Sequence, residues 1–407
     1  MTEVPAATPL LAPREGVPPV TETAAQLAEV VARFAGGTGP VAVDAERASG
    51  YRYSQRAYLV QLRREGAGTA LIDPIACPDL SLLGKVLQDD EWVLHAASQD
   101  IPCLAEVGMR PPRLFDTELA GRLAGFERVG LGAMVESVLG YTLEKGHSAA
   151  DWSTRPLPHE WLVYAALDVE VLLELRDALE DELDRQDKLE WAREEFEAVR
   201  TMPPPLPRTD PWRRTSGIHA LRTRRQLAAV RALWEARDVL ARKRDTAPGR
   251  ILPDRAMIAA VSAAPATPAE LLALPVFGGR STRRHVDLWW GALQKAATLP
   301  DKDLPLPSPP GDGPPAPNRW AERDPAAARR LARVRAALAE LSEERQVPVE
   351  NLAPPDAVRR VTWAPPDHDV DALRQALARH GARPWQASLV APLLARALPE
   401  VEEATSA

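Results

Sequence analysis

The chain has 407 residues, a formal net charge of −7, 45% hydrophobic and 26% charged residues, and only two cysteines, Cys77 and Cys103. That length holds two to three domains with an ample core in each, and two cysteines without a CxxC pair speak against a disulfide framework or a cysteine zinc site. No apolar run is long enough to span a bilayer, and the N-terminal stretch lacks the basic and apolar regions of a signal peptide. A cytoplasmic protein with no membrane partner is therefore expected. The charge is uneven: residues 1–204 carry −15, residues 205–297 carry +10 and residues 298–407 carry −2. One strongly basic segment inside an acidic protein predicts an anionic partner for that segment.

Residues 1–20, rich in Pro, Ala and Thr, read as a disordered leader. A first domain follows over residues 21–202. Thr23 and Gln26 form a capping-box pair, and Leu27, Val30, Val31 and Phe34 share one helical face. After the glycine-rich break at residues 36–40, three strand-like runs come in quick succession, over residues 41–46, 57–62 and 69–72. Their short turns predict an antiparallel meander. The pattern then alternates, with a helix over residues 80–87, a strand over 92–95, a helix from near Asp100, a short strand at 114–115 and a helix opened by Asp116 or Thr117. A long helical tract runs from His159 to Arg200. Strands in a meander, then alternating with helices, predict an α/β domain with a mixed sheet flanked by helices. A proline-rich linker over residues 203–214 leads to an all-α module over 215–298. A second linker over 299–318, with eight prolines from Pro300 to Pro317, reads as a semi-rigid spacer before another helical module over 319–400 and a tail over 401–407.

The stretch Val41-Ala-Val-Asp44-Ala-Glu46 is an apolar strand that ends in two acids at i, i+2. Alternation across a strand puts both carboxylates on one side, where they can grip one cation. Alone, such a strand is equally a strand running into an acidic turn. Asp100 lies just past the strand that ends at His95, at a helix start, where groups converge on one sheet edge; the simpler reading of Asp100 is a helix N-cap. Asp168 has Tyr164 one turn before it on the same helix face. Four acids from three elements would repel one another and raise their own pKa values unless divalent cations neutralise them. Hard oxygen ligands without cysteine favour Mg²⁺ or Mn²⁺. His95 is read as a hydrogen-bonded histidine rather than a ligand.

These motifs, with Tyr58-Leu-Val-Gln-Leu62, His95-Ala-Ala-Ser-Gln-Asp100, Phe115-Asp-Thr-Glu-Leu119, Gly140-Tyr-Thr-Leu-Glu-Lys145, Asp151-Trp152, Arg155-Pro-Leu157 and Tyr164-Ala-Ala-Leu-Asp168, resemble the ribonuclease D family. That family is a DEDDy branch of the 3′-5′ exonucleases and has a ribonuclease-H-like fold. Residues 215–297 resemble the helicase-and-RNase-D C-terminal (HRDC) module, through Leu233-Trp-Glu-Ala-Arg-Asp238, Ala241-Arg242, Leu252-Pro-Asp254 and the arginines from Arg280 to Arg284. The last module looks like a divergent second copy. The resemblance implies that Asp44, Glu46 and Asp168 hold a first divalent cation, that Asp44 and Asp100 serve a second, and that Tyr164 orients the attacking water. It also implies release of nucleoside 5′-monophosphates from the 3′ end of RNA, tRNA precursors among the expected substrates. Two residues depart from the family pattern: Arg47 stands where relatives carry an apolar or aromatic residue, and Ala45 where threonine is commoner.

In the basic segment the arginines cluster, and phosphate contact by Arg224, Arg225, Arg242, Lys243, Arg280, Arg283 and Arg284 is expected, with Arg47 and Arg155 nearer the acids. A solvated arginine-rich surface is the plainer reading, and docking onto the acidic first domain would use part of the charge. Two other functions fit the same chain. A 3′-5′ DNA exonuclease differs only in how the 2′-hydroxyl is treated, and a non-catalytic adaptor would have no need of all four acids and the tyrosine. Nothing in the sequence sets the oligomeric state.

Overall fold

The computed structural model describes residues 7–399 except Lys145, Pro205 and residues 309–312. In chain order the first domain contains β1 (Thr8–Leu10), β2 (Val20–Thr21), α1 (Ala24–Gly36), β3 (Thr38–Arg47), β4 (Ala57–Glu65), β5 (Gly68–Ile72), α2 (Ser81–Val86), β6 (Glu91–Leu94), α3 (Ile101–Glu106), β7 (Arg113–Asp116), α4 (Thr117–Ala124), α5 (Leu131–Met134), β8 (Tyr141–Leu143), α6 (His159–Glu170), α7 (Leu172–Arg185) and α8 (Leu189–Arg200). Six strands form one mixed sheet in the order β2, β5, β4, β3, β6, β7. The meander β3, β4, β5 is antiparallel, and β6 and β7 add to β3 in parallel after their helices. This is the mixed sheet with helices that the alternating pattern predicts. The Thr23 and Gln26 capping box is present at the start of α1.

The expectation of a disordered leader does not hold for residues 7–20. Thr8, Pro9 and Leu10 pair with Tyr141, Thr142 and Leu143. Arg14 donates its backbone N–H to Glu170 at 3.0 Å and pairs its guanidinium with Glu174. A three-residue strand has no periodicity to read, and its partner lies more than 130 positions downstream. Residues 1–6 and the tail at 401–407 lie outside the described residues. The helical tract expected from His159 to Arg200 is three helices, divided at Val171 and at Asp187, whose φ of +55° ends the run after α7.

The second domain is all-helical, with α9 (Arg224–Arg244), α10 (Pro248–Ile251), α11 (Asp254–Ala263), α12 (Pro268–Ala273), α13 (Arg280–Arg284) and α14 (Val286–Ala297) around its own core. Trp212 and Trp289 are buried there, with Trp234 and Trp290 packed against that core. The core thus reaches back to Trp212, inside the stretch read as a linker. The other linker is also partly bound: Leu304 packs on Ala228 and Ala296. The last domain comprises α15 (Trp320–Arg323), α16 (Pro325–Arg345), α17 (Val349–Leu352), α18 (Pro355–Trp363), α19 (Val370–Arg379) and α20 (Pro384–Ala397). Its core is continuous with that of the first domain. Trp385 of α20 stacks on Trp191 of α8 with ring centroids 4.7 Å apart, and its Nε1 donates to Glu195 at 3.0 Å. Gly125 ends α4 at φ +89°, and a Cβ there would stand 2.9 Å from the Gln346 carbonyl oxygen, so two demands fix glycine at once. Among the described residues no helix is long and apolar enough to cross a membrane.

Candidate active site

Strand β3 delivers Asp44 and Glu46 to the same face of the sheet. Helix α6 crosses that face, and Ala165 and Ala166, both fully buried, let it come close to the strands. Asp168 and Tyr164 then reach the acids from above. Oxygen atoms of Asp44, Glu46 and Asp168 all lie within 4.8 Å of one another, a spacing at which one cation can take a ligand from each. Asp100 enters from the turn after β6 and lines the same cavity, as do Tyr164 and His95. It does not join the three-acid group among the described residues. The N-cap reading of Asp100 fails on one point: its side chain makes no capping hydrogen bond. The carboxylate is buried and faces the pocket, paired with Arg47 at 3.4 Å.

The electrostatics follow from burial and crowding. Desolvation raises the pKa of all four acids, and the neighbouring carboxylates push Glu46, Asp100 and Asp168 further, well above the ordinary carboxylate range. The Tyr164 hydroxyl hydrogen-bonds Asp168, which partly counters the rise there. Burial and the same acids drive Tyr164 far above its usual value, so it keeps its proton. Its ring is buttressed by His147 and Trp152 at 5.9 and 6.4 Å. A cavity of about 630 Å³ opens in front of this cluster, bounded on its far side by α5, the following π-helical turn at Glu136 and β8. Its size is ordinary for a small-ligand cleft.

Two residues support the cluster, Gln61, which the sequence does not single out, and Asp116, which does more than open α4. Gln61 sits directly opposite Asp44 in the β3–β4 register and donates from Nε2 to its carboxylate at 3.3 Å, while its own Oε1 is buried without a partner. The signal was a lone polar residue in the apolar run Tyr58 to Leu62. Asp116, at the end of β7, accepts the backbone N–H groups of Ala96 at 3.1 Å and Ala97 at 2.8 Å, and those of Glu118 and Leu119. It thereby pins the turn in which Ala96 takes φ +59°, and that turn aims Asp100. Burial brings the Asp116 carboxyl to about 6 despite these donors. His95 is held to the same wall: Thr117 donates its hydroxyl to Leu94, so His95 Nδ1 is the donor to Thr117 Oγ1 at 2.9 Å. Burial lowers its pKa to about 4, leaving a neutral ring.

The arginines divide. Arg155 makes a two-point pair with Asp73 at 2.7 and 2.9 Å and donates to the carbonyls of Tyr58 and Trp152. Arg225 donates to Ala296, Ala297 and Leu299 carbonyls and to Asp301, and Arg224 to Leu304 and Pro305. These three are occupied inside the protein, the last two in holding the stretch after α14. Arg242 lies at the seam between the first two domains, bonded to Asp238 and the Tyr53 hydroxyl. There Tyr53 and Ser54 bond Asp238 and Asp245, and Arg250 caps the Tyr51 ring at 4.0 Å. Acids of the basic domain share this docking with its arginines Arg242 and Arg250, so part of the positive charge is used here, as expected. Lys243, Arg280, Arg283 and Arg284 are exposed.

Residues 19–184 match a family model described as 3′-5′ exonuclease, residues 226–293 one described as HRDC domain, and residues 313–398 one described as 3′ to 5′ exonuclease C-terminal domain. The chain is 35% identical over 226 residues to the ribonuclease D of Shewanella sp. (strain ANA-3), covering 54% of this chain and 58% of that protein, under two thirds of its length. It is 33% identical over 289 residues to the ribonuclease D of Escherichia coli (strain K12), covering 70% of this chain and 75% of that one. The E. coli crystal structure, described as an exoribonuclease involved in structured RNA processing, superposes with a TM-score of 0.68 at 27% identity over 93% of this chain and 98% of that one. A crystal structure of a protein from Bifidobacterium adolescentis superposes with a TM-score of 0.88 at 39% identity over 96% and 99% of the two chains.

Proposed function

The chain belongs to the ribonuclease D family, and from that premise we propose that it is a metal-dependent 3′-5′ exoribonuclease that removes nucleoside 5′-monophosphates from the 3′ end of structured RNA, tRNA precursors included. The observation that carries the reading is the convergence of Asp44, Glu46 and Asp168 within 4.8 Å at the floor of the cavity. Buried carboxylates so close do not all ionise without a cation among them. The donor set fits Mg²⁺ or Mn²⁺: oxygen only, with no cysteine or histidine in the group. Asp44, Glu46 and Asp168 would hold one ion, and Asp44 with Asp100 a second. Two such ions, when bound, supply a nucleophilic hydroxide at neutral pH and stabilise the leaving oxygen of an in-line displacement.

The protein's own groups do the rest. Gln61 holds Asp44 from the side, and Asp116 fixes the turn that carries Asp100. Tyr164, protonated and hydrogen-bonded to Asp168, orients the attacking water. The neutral His95 lines the cavity without adding charge. Lys243, Arg280, Arg283 and Arg284 would contact RNA phosphates away from the pocket, a salt-dependent and sequence-blind attraction. Two reduced, buried cysteines suit a cytoplasmic enzyme.

The test is incubation of the full chain and of Asp44→Asn with 3′-extended tRNA and a matched DNA strand, in Mg²⁺, in Mn²⁺ and in chelator. A ladder shortening from the 3′ end of RNA, lost in chelator and reduced about 10³-fold or more in the variant, is the expected result. Faster loss of DNA moves the function to DNA. Binding without metal-dependent shortening of either strand leaves a non-catalytic adaptor.

A further inference from the structure

Alternation along β3 puts Asp44 and Glu46 on one face and would turn Arg47 to the other. The register with β4 slips at this point: Glu46 pairs with Leu59 and Arg47 with Ala57. The extra residue, Tyr58, lies on β4, and the regular ladder is interrupted where Arg47 stands. Arg47 lines the same cavity as the acids. Its Nη2 lies 3.4 Å from Asp100 Oδ1 and 3.4 Å from Gln99 Oε1, with the side chain 24% exposed. Among the described residues the other charged cation lining the cavity, Arg128, is far more exposed and lies toward Glu136. Among the described residues Arg47 is the ion-pair partner of Asp100, and no ion pair reaches Asp44, Glu46 or Asp168.

The four acids are therefore not equivalent. Three are gathered with no direct ion pair, Arg47 acting on Asp44 and Glu46 only at longer range, and the fourth has one. A guanidinium does not lose its proton in a protein, so it cannot yield Asp100 by becoming neutral. A divalent ion and a guanidinium held at one carboxylate repel each other. We propose that Arg47 is a built-in counter-cation that competes with the second divalent ion for Asp100. It leaves that carboxylate when an RNA phosphate offers a charge-assisted replacement. RNA and the second ion would then bind cooperatively, so that the full pair of ions assembles where substrate is present. This inference rests on the two-ion reading above and adds to it the residue that controls the second ion.

The experiment is titration of the full-length protein with Mn²⁺, by calorimetry and by electron paramagnetic resonance of free Mn²⁺, with and without a short RNA whose terminal linkage resists hydrolysis. Wild type, Arg47→Met, Arg47→Lys and Asp44→Asn are compared. In the absence of RNA, Arg47→Met should tighten the second Mn²⁺ step about three- to tenfold and move the first less than about twofold, with Arg47→Lys in between. RNA should tighten the second step in wild type and hardly at all in Arg47→Met. Equal shifts of both steps, or none, overturn the proposal; equal shifts mean only that one positive charge has been removed from an acidic pocket. If wild type shows no Mn²⁺ binding that Asp44→Asn abolishes, the two-ion reading itself falls and takes this proposal with it. Thermal midpoints of the variants in chelator establish that each is folded, and Arg47→Lys keeps the test open if Arg47→Met is not.

Discussion

The acidic pocket and the arginine-rich second domain carry their charges in opposite ways. In the pocket, Asp44, Glu46 and Asp168 are drawn together from β3 and α6 with no ion-pair partner among the described residues, Arg47 offsetting the charge of Asp44 and Glu46 only in part, so much of their repulsion is stored in the fold. In the second domain, where the net charge is +10 over residues 205–297, Arg224 and Arg225 are tied to backbone carbonyls and Arg237 to Asp254 at 2.6 Å. Like charge that has been gathered and left unpaired points to a missing ligand. Like charge that has been answered locally is structural, whatever the total.

That contrast can be broken at several points. After the loss expected of Asp44→Asn, the next largest effect should come from Tyr164→Phe, which leaves the acids in place but removes the hydroxyl: RNA shortening in saturating Mn²⁺ should fall about 10²-fold, with Mn²⁺ affinity by calorimetry far less affected. Next, Arg283→Ser with Arg284→Ser should weaken RNA binding about tenfold at low salt and reduce the salt slope of log Kd by about two, without moving the thermal midpoint. Arg225→Met should do the reverse. It loses bonds to partly exposed carbonyls and should cost about 1 kcal/mol of stability, read as a lower midpoint at unchanged RNA affinity. If Arg225→Met weakens RNA binding as the Arg283 and Arg284 pair does, the division between structural and free arginines is wrong.

The smallest effect is a stabilisation. In chelator the pocket acids have folded pKa values above their unfolded ones, so the folded state holds protons that the unfolded chain has lost. Stability from this source is full at or below the ordinary carboxylate value of about 4 and is lost as pH rises through the raised folded values. Asp44→Asn removes one of the repelling charges. Its midpoint in chelator should therefore exceed that of wild type by about 2–4 °C at pH 8, the gap closing toward pH 4, and saturating Mn²⁺ should reverse the order by stabilising wild type alone.

Local spacing made the pocket cluster legible: i, i+2 on a strand for Asp44 and Glu46, i, i+4 on a helix for Tyr164 and Asp168. Asp100 was legible from its place after a strand. What stayed hidden depends on pairings across long sequence distances. Gln61 acquires its role only once β3 and β4 are in register. The strand at Thr8–Leu10 exists only because Tyr141–Leu143 is there to receive it. The arginines looked alike as letters, and only the carbonyls that fold back onto Arg224 and Arg225 separate them from Arg283 and Arg284.

The core shared by the first and last domains means that the peptide joining them is not what keeps them together. Trp385 lies stacked on Trp191 and bonded to Glu195, and α16 and α20 contribute Val334, Leu338, Val390 and Leu394 to the same apolar body. Each large apolar side chain so buried resists re-exposure by about 1.5–3 kcal/mol. A protease that nicked the chain between Leu306 and Pro317 would produce two fragments that migrate as one particle and part only in denaturant. Expressed separately, the same two fragments should find each other and rebuild the shared core.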